Sequence, residues 1–229
     1  MKQISWCITV KNRCNPTWEH IPSGEQFTIP LLKDNLTQLL LLQQDDEEWE
    51  ICISDWGSTD TDMRSYVQSL VPIKGILTTQ VVDLPADKFS RGSGLNAAYN
   101  ISTHNNIFFL DADMFFKDRS VIDQIYHHLN LSKVYFPICS SYIDRNHSAY
   151  RSRENGKGNV AITREDFRGK IGGWLEKYTW GSEDGDMWNC FRRKAVRDYT
   201  ETFFHQWHPA VRRIPGIPET RDAYDYRII

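Results

Sequence analysis

Asn106-Ile107-Phe108-Phe109-Leu110-Asp111-Ala112-Asp113 reads as a buried strand that ends on two carboxylates, and this stretch decides the fold. Alternation along an extended chain places Asp111 and Asp113 on the same side. Carboxylates so placed repel each other unless a cation or a donor stands between them. A hard divalent ion with oxygen ligands relieves the repulsion and can bridge to a diphosphate. A bare Asp-x-Asp also occurs as a solvated acidic turn, but its position behind a wholly apolar strand favours the functional reading.

Moving outward, short apolar runs alternate with longer amphipathic ones. Strands are expected at Ile4–Val10, Trp49–Ser54, Ile76–Val82, Asn106–Leu110 and Lys133–Cys139. Helices are expected at Pro30–Gln44, Thr59–Leu70 (with Ser58 or Thr59 as N-cap), Gly94–Ile101 and Arg119–Leu129. This order implies an α/β protein with a mostly parallel central sheet flanked by helices on both faces. In such sheets ligands meet the carboxyl ends of the strands. Three polar clusters follow strands directly and so share one rim: Lys11-Asn12-Arg13, Asp55-Trp56-Gly57-Ser58 and Asp111-Ala112-Asp113.

The later sequence is less regular. Ser140–Lys157 is polar and basic, and reads as a mobile loop of the kind that often carries function. Thr202–His208 reads as an apolar strand ending on two histidines, and the tail from Pro209 as an extended arm. We expect one domain over residues 1–229, with 1–113 a nucleotide-binding half and 114–229 an acceptor and metal half.

At 229 residues the chain can bury a sizeable core without a metal or disulfide staple. A net charge of −3 argues against broad nucleic-acid binding, which needs a basic face to displace counterions. No apolar stretch is long enough to cross a membrane, and the amino terminus lacks the apolar segment of a signal peptide. A cytoplasmic bacterial or viral enzyme is therefore expected. The five cysteines show no paired spacing and read as reduced, mostly buried residues.

Further clusters carry chemistry. His205 and His208 stand three residues apart, and neutral imidazole is a common metal ligand; a mixed Asp/His set favours manganese over calcium. Trp180-Gly181-Ser182-Glu183-Asp184-Gly185-Asp186 sets acids beside an aromatic in a glycine-flexed loop, where a partly desolvated carboxylate can act as a general base. The same acids also suit a helix start. Lys11, Arg13 and Arg91 can neutralise a diphosphate. Phe89-Ser90-Arg91-Gly92-Ser93-Gly94 resembles a phosphate cradle only loosely, because it lacks the Gly-Lys-Ser/Thr ending of a P-loop.

These segments, in this order from about Ile4 to His208, resemble the inverting glycosyltransferases of the GT-A (nucleotide-diphospho-sugar transferase) fold. The likeness is to glycosyltransferase family 2 and to its β-1,4-galactosyltransferase and bacterial chondroitin polymerase branch. Val10-Lys11-Asn12-Arg13, preceded by Thr9, looks like that branch's Phe-Arg-Asn-Arg segment, which contacts uridine diphosphate. Asp55 would be the nucleoside-binding Asp of Asp-Asp-Gly-Ser-x-Asp, whose first Asp is here Ser54. Phe89-Ser90-Arg91, followed by Asn96, looks like a Phe-Asn-Arg…Asn segment.

The resemblance assigns Asp111, with Ala112, to the donor's ribose or the metal's water shell, and Asp113 to the metal. Trp180-Gly181-Ser182-Glu183-Asp184 is similar to a Trp-Gly-Gly-Glu-Asp motif in which the Asp is the catalytic base; Glu183 accompanies it, and Trp180 would line the donor. His208 would be the late metal ligand and His205 a second one. The cofactor implied is Mn2+, with Mg2+ as the alternative ion. The partners implied are a UDP-sugar donor and a glycan, glycoprotein or small-glycoside acceptor. The alternatives are a sugar-phosphate nucleotidyltransferase, whose early glycine-rich loop is lacking in Ile8–Pro16, and a non-catalytic nucleotide-sugar-binding module.

Overall fold

The computed structural model describes residues 1–86, 89–170, 172–177, 182–209 and 226–228. The first half runs β1 (Lys2–Val10), β2 (Thr17–His20), β3 (Glu25–Thr28), α1 (Leu31–Leu42), β4 (Glu47–Asp55), α2 (Met63–Gln68), β5 (Ile76–Asp83), α3 (Arg91–Ile101) and β6 (Asn106–Leu110). The second half continues with β7 (Met114–Phe116), α4 (Ser120–Asn130), β8 (Val134–Tyr135), β9 (Ile138–Tyr142), β10 (Tyr150–Ser152), β11 (Val160–Thr163), α5 (Arg164–Gly169), α6 (Glu183–Phe191), β12 (Ala195–Val196), β13 (Tyr199–His205) and β14 (Tyr226–Ile228).

The main sheet has the order β12-β8-β11-β6-β1-β4-β5. β5, β4, β1 and β6 pair in parallel, and β11 is antiparallel to both of its neighbours. Alternate side chains of the central strands serve two cores. Trp6, Ile8, Trp49, Ile51, Phe108 and Leu110 face the leucines of α1 and the apolar stripe of α4. Cys7, Cys52, Ile107 and Phe109 face Leu95 and Ala98 of α3, Phe167 of α5 and Met187 of α6. The chain leaves β1 for β4 and β5 on one side, then returns to β6 on the other. The crevice of this reversal opens at the ends of β1 and β6, beside Lys11 and Asp111.

A second sheet has the order β10-β9-β13-β7, and a third the order β14-β2-β3. Several elements differ from expectation for identifiable reasons. The helix expected from Thr59 starts at Met63, capped by Asp62, whose carboxylate accepts from the Ser65 N–H. Residues 58–60 instead hold the loop after β1: the Asn12 N–H donates to Ser58 Oγ at 3.0 Å, the Thr59 N–H to Asn12 Oδ1 at 2.8 Å and the Asn15 N–H to Asp60 Oδ2 at 2.8 Å.

The single strand expected at Lys133–Cys139 is two, broken near Pro137, with β8 in the main sheet and β9 in the second. Pro137 cannot donate to a ladder, which suits a change of sheet. The expected loop at 140–157 contains a hairpin, since β9 runs to Tyr142 and β10 pairs back on it. The strand expected at Thr202–His208 is the end of β13, which stops at His205, so His208 lies beyond the sheet. Of the expected arm, β14 pairs antiparallel with β2; residues 210–225 lie outside the described residues. Among the described residues no helix is long and apolar enough to cross a membrane.

Candidate active site

The rim gathers its carboxylates around one guanidinium. Arg91 is the first residue of α3, whose N-cap Ser90 accepts from the Ser93 N–H. Its Nε donates to Asp111 Oδ1 at 2.8 Å, Nη1 to Asp184 Oδ1 at 3.0 Å and Nη2 to the Gly158 carbonyl at 2.7 Å. The guanidinium lies over the Trp174 ring, 5.1 Å from its centroid. Burial opposes its charge, but Asp111 and Asp184 outweigh that and hold its pKa above the usual value.

Gly158 leaves room for this cluster. A Cβ there would stand 2.9 Å from Asp111 Oδ2 and 3.0 Å from Arg91 Nη2. Asn159 adds a pin, its Oδ1 accepting from the Asp111 N–H at 2.9 Å.

Asp184 lies in the first turn of α6 with Glu183 and Asp186, so the acids begin a helix, and Asp184 also reaches Arg91 at the rim. Partial burial pushes the Asp184 carboxyl above its ordinary range; Asp111 and Glu183 add to this, against the pull of Arg91. Glu183 is buried, and its Oε2 has no hydrogen-bond partner among the described residues.

The second focus is Asp113 with His205 and His208. One ligand atom from each lies within 4.8 Å of the others, with His208 Nε2 at 3.2 Å and His205 Nε2 at 3.6 Å from Asp113 Oδ2. Burial disfavours the Asp113 charge, yet the two histidines outweigh it and hold the carboxyl well below the usual range. Burial lowers the His208 pKa and so favours the neutral ring, outweighing Asp113, which favours the protonated one.

In the tautomer that carries the ring proton on Nδ1, His208 donates to the Pro209 carbonyl at 2.9 Å. Nε2 then presents its lone pair to a carboxylate oxygen. With His205 Nε2 and Asp113 Oδ2 close by, this gives a mixed nitrogen and oxygen donor set that fits a divalent metal.

Two buried amides that sequence reading missed hold this focus in place. Asn35 of α1, fully buried, donates to the Asp111 and Ala112 carbonyls at 3.2 and 3.4 Å. Gln206 donates to the Leu31 and Met114 carbonyls at 2.8 and 3.0 Å, and its N–H donates to the Asp113 carbonyl at 2.8 Å. Each had a faint signal: Asn35 interrupts the apolar stripe of Leu32, Leu36 and Leu39, and Gln206 separates the two histidines.

A family model described as glycosyl transferase family 2 matches residues 29–204. The chain belongs to this family. Solved structures agree on the fold. Staphylococcus aureus TarS 1–349 with UDP-GlcNAc superposes with a TM-score of 0.67 at 12% identity, covering 92% of this chain and 60% of that one. The same fragment with UDP gives 0.64 at 12% identity, covering 91% and 61%. Mannosyltransferase PcManGT from Pyrobaculum calidifontis, with GDP-Man and Mn2+, gives 0.57 at 14% identity, covering 88% and 55%. The chain thus spans about 60% of these structures' length. Among curated proteins no match is found.

The remaining expected site residues of this family 2 chain fall in three groups. Asp55, at the end of β4, is buried and accepts from the Ser58 N–H at 3.0 Å. Lys11 donates to the Ala86 carbonyl. Arg13 packs against His208, its Nη1 3.4 Å from Nδ1, and over Trp18. Thr9 and Asn96 are engaged within the protein. The Thr9 hydroxyl accepts from Trp56 Nε1 at 3.1 Å, and Asn96 clamps the Trp174 segment through its backbone N–H and carbonyl. Trp180 lies outside the described residues. The glycines of the Ser90–Gly94 segment serve close packing, since a Cβ at Gly92 would stand 2.1 Å from the Leu175 carbonyl oxygen.

Proposed function

We propose that the chain is a metal-dependent, inverting glycosyltransferase that moves a hexose or related sugar from a UDP-sugar to an acceptor hydroxyl. The observation that carries this reading is the pairing of two foci at one rim, the Asp113–His205–His208 donor set and the Arg91-tied Asp111 and Asp184. Membership of family 2 supports the reaction class. The UDP-GlcNAc complex of TarS and the GDP-Man and Mn2+ complex of the mannosyltransferase support a nucleotide-sugar donor and a cation. Trp180–Asp184 and the late histidines favour the β-1,4-galactosyltransferase and chondroitin polymerase branch within the family.

Asp113, His205 and His208 would hold Mn2+, or Mg2+, with Asp111 toward the ribose or the ion's water shell. The bound ion supplies positive charge against the leaving diphosphate. Asp55 faces the nucleoside. Asp184 takes the proton of the acceptor hydroxyl, which attacks the anomeric carbon from the face opposite the departing phosphate, so configuration inverts. Arg91 keeps Asp184 and Asp111 at fixed separation. Glu183, buried behind Asp184, keeps that carboxyl basic enough to accept the proton.

The test is incubation with Mn2+ and UDP-glucose, UDP-galactose, their N-acetylated forms and UDP-xylose, reading the nucleotide released. UDP release that needs Mn2+ is expected. Pyrophosphate release would mark a nucleotidyltransferase, and binding without any turnover a non-catalytic module.

A further inference from the structure

Beside the ion, the diphosphate would need a side-chain cation. Lys11, Arg13 and Arg91 were expected to meet it. Arg91 instead faces two carboxylates through two of its three engaged N–H groups, so its charge is already compensated. Lys11 is held by the Ala86 carbonyl, and Arg13 lies against the His208 ring. A diphosphate arriving beside Asp111, Asp113, Asp184 and Glu183 brings more negative charge to an acidic rim.

Arg153 lies within electrostatic reach of Asp184. It follows β10, opposite Cys139, whose carbonyl accepts from the Arg153 N–H at 2.8 Å. Its own carbonyl accepts from the Gly156 N–H at 2.9 Å. Arg197 fixes the turn by donating to the Glu154 and Gly156 carbonyls at 2.5 and 2.8 Å, and Arg91 fixes Gly158. The backbone around Arg153 is therefore tied to β9 on one side and, through Gly158, to Arg91 on the other.

The side chain is half-buried. Its charge acts on Asp184 and on Cys139, and the Cys139 thiol also feels Asp111 and Asp113. Among the described residues the guanidinium has no hydrogen-bond or ion-pair partner. A fixed backbone carrying a guanidinium with its donors unused, within electrostatic reach of the acids, suits two-pronged binding of phosphate oxygens.

We propose that Arg153 receives the donor's diphosphate, in the role that sequence reading gives to Arg91. The proposal rests on the nucleotide-sugar transferase reading. In transfer, the bond between the anomeric carbon and the β-phosphate oxygen breaks and its electron pair stays on the phosphate. The acceptor oxygen bonds to the carbon and gives its proton to Asp184. Arg153 donates to the phosphate oxygens on which the charge collects.

Calorimetry of UDP and of UMP, each with Mn2+, tests this on the wild type, Arg153→Gln, Arg153→Lys and Arg151→Gln. Arg153→Gln is expected to weaken UDP about tenfold or more, as loss of a charge-assisted pair does, while UMP changes less than about twofold. Arg153→Lys should recover part of the loss, and Arg151→Gln should leave both ligands within about twofold. Unchanged UDP affinity in Arg153→Gln overturns the proposal, as does an equal loss of UDP and UMP. Intact UDP binding with lost transfer moves Arg153 to the acceptor and overturns it too. A wild type that binds no nucleotide overturns the transferase reading itself, a separate and recognisable failure.

Discussion

The four parallel strands β5, β4, β1 and β6 and the smaller sheet of β7, β9, β10 and β13 are held by different means. In the first, long registers align nine residues of β1 with β4 and eight of β4 with β5, and apolar side chains fill both faces. One buried acid, Glu50, is satisfied within it by Ser5 Oγ, the Thr103 N–H and Gln80 Nε2 at 2.6 to 2.7 Å. The smaller sheet has short strands and a register shift between Tyr199 and Phe204. Its junction with the rim depends on single amides such as Gln206. Repetition makes the first region rigid, and individual contacts make the second exact enough to place two histidines beside Asp113. Stability should reside mainly in the first region and chemistry mainly in what the second adds.

Substitutions can break this contrast. The largest expected effect is on chemistry. Asp184→Asn should lower transfer by about a thousandfold, the loss of a general base, while UDP binding with Mn2+ stays within about twofold; initial rates and calorimetry read the two quantities. Retained transfer would remove Asp184 from the base role. Glu50→Ala should cost about 3 kcal/mol, because several buried donors lose one acceptor. A denaturant titration measures it, and nucleotide binding below the transition should be unchanged.

Gln206→Ala should show the opposite balance. Two buried carbonyls lose their donor, a cost of about 2 kcal/mol and roughly 6 °C in melting temperature for a chain of this size. Mn2+ affinity should fall with it, which a metal titration reads. Equal Mn2+ affinity in Gln206→Ala and wild type would mean that the histidines hold themselves in place. The smallest effect is the position of the acid limb of the rate–pH profile. Asp184 acts as base when ionised, and its folded pKa lies above the ordinary 3.8. Transfer should therefore fall as pH drops through a value above 3.8, and a limb at or below 3.8 would contradict the desolvated base.

The same contrast explains what could be read in the sequence. Ile107–Leu110 announces a buried strand by composition alone, and the polar residues after β1, β4 and β6 follow from strand order. The β2–β3 hairpin, β7 and β11 are three or four residues long, too short for a period to show. Arg91 carried the right charge in the right place, but its partners Asp184 and Gly158 lie 93 and 67 residues away, so no local pattern reveals that it ties carboxylates together. Asn35 and Gln206 are legible only as polar interruptions of apolar stretches until their carbonyl partners are in place.

Asp113, His205 and His208 are proposed to hold a divalent cation through which the donor nucleotide binds. The most direct measurement is calorimetric titration of UDP into the wild type and Asp113→Ala, each with Mn2+ and with chelator. Tight binding is expected only for the wild type with Mn2+. Equal affinity with chelator, or undiminished Mn2+-dependent binding in Asp113→Ala, would contradict it.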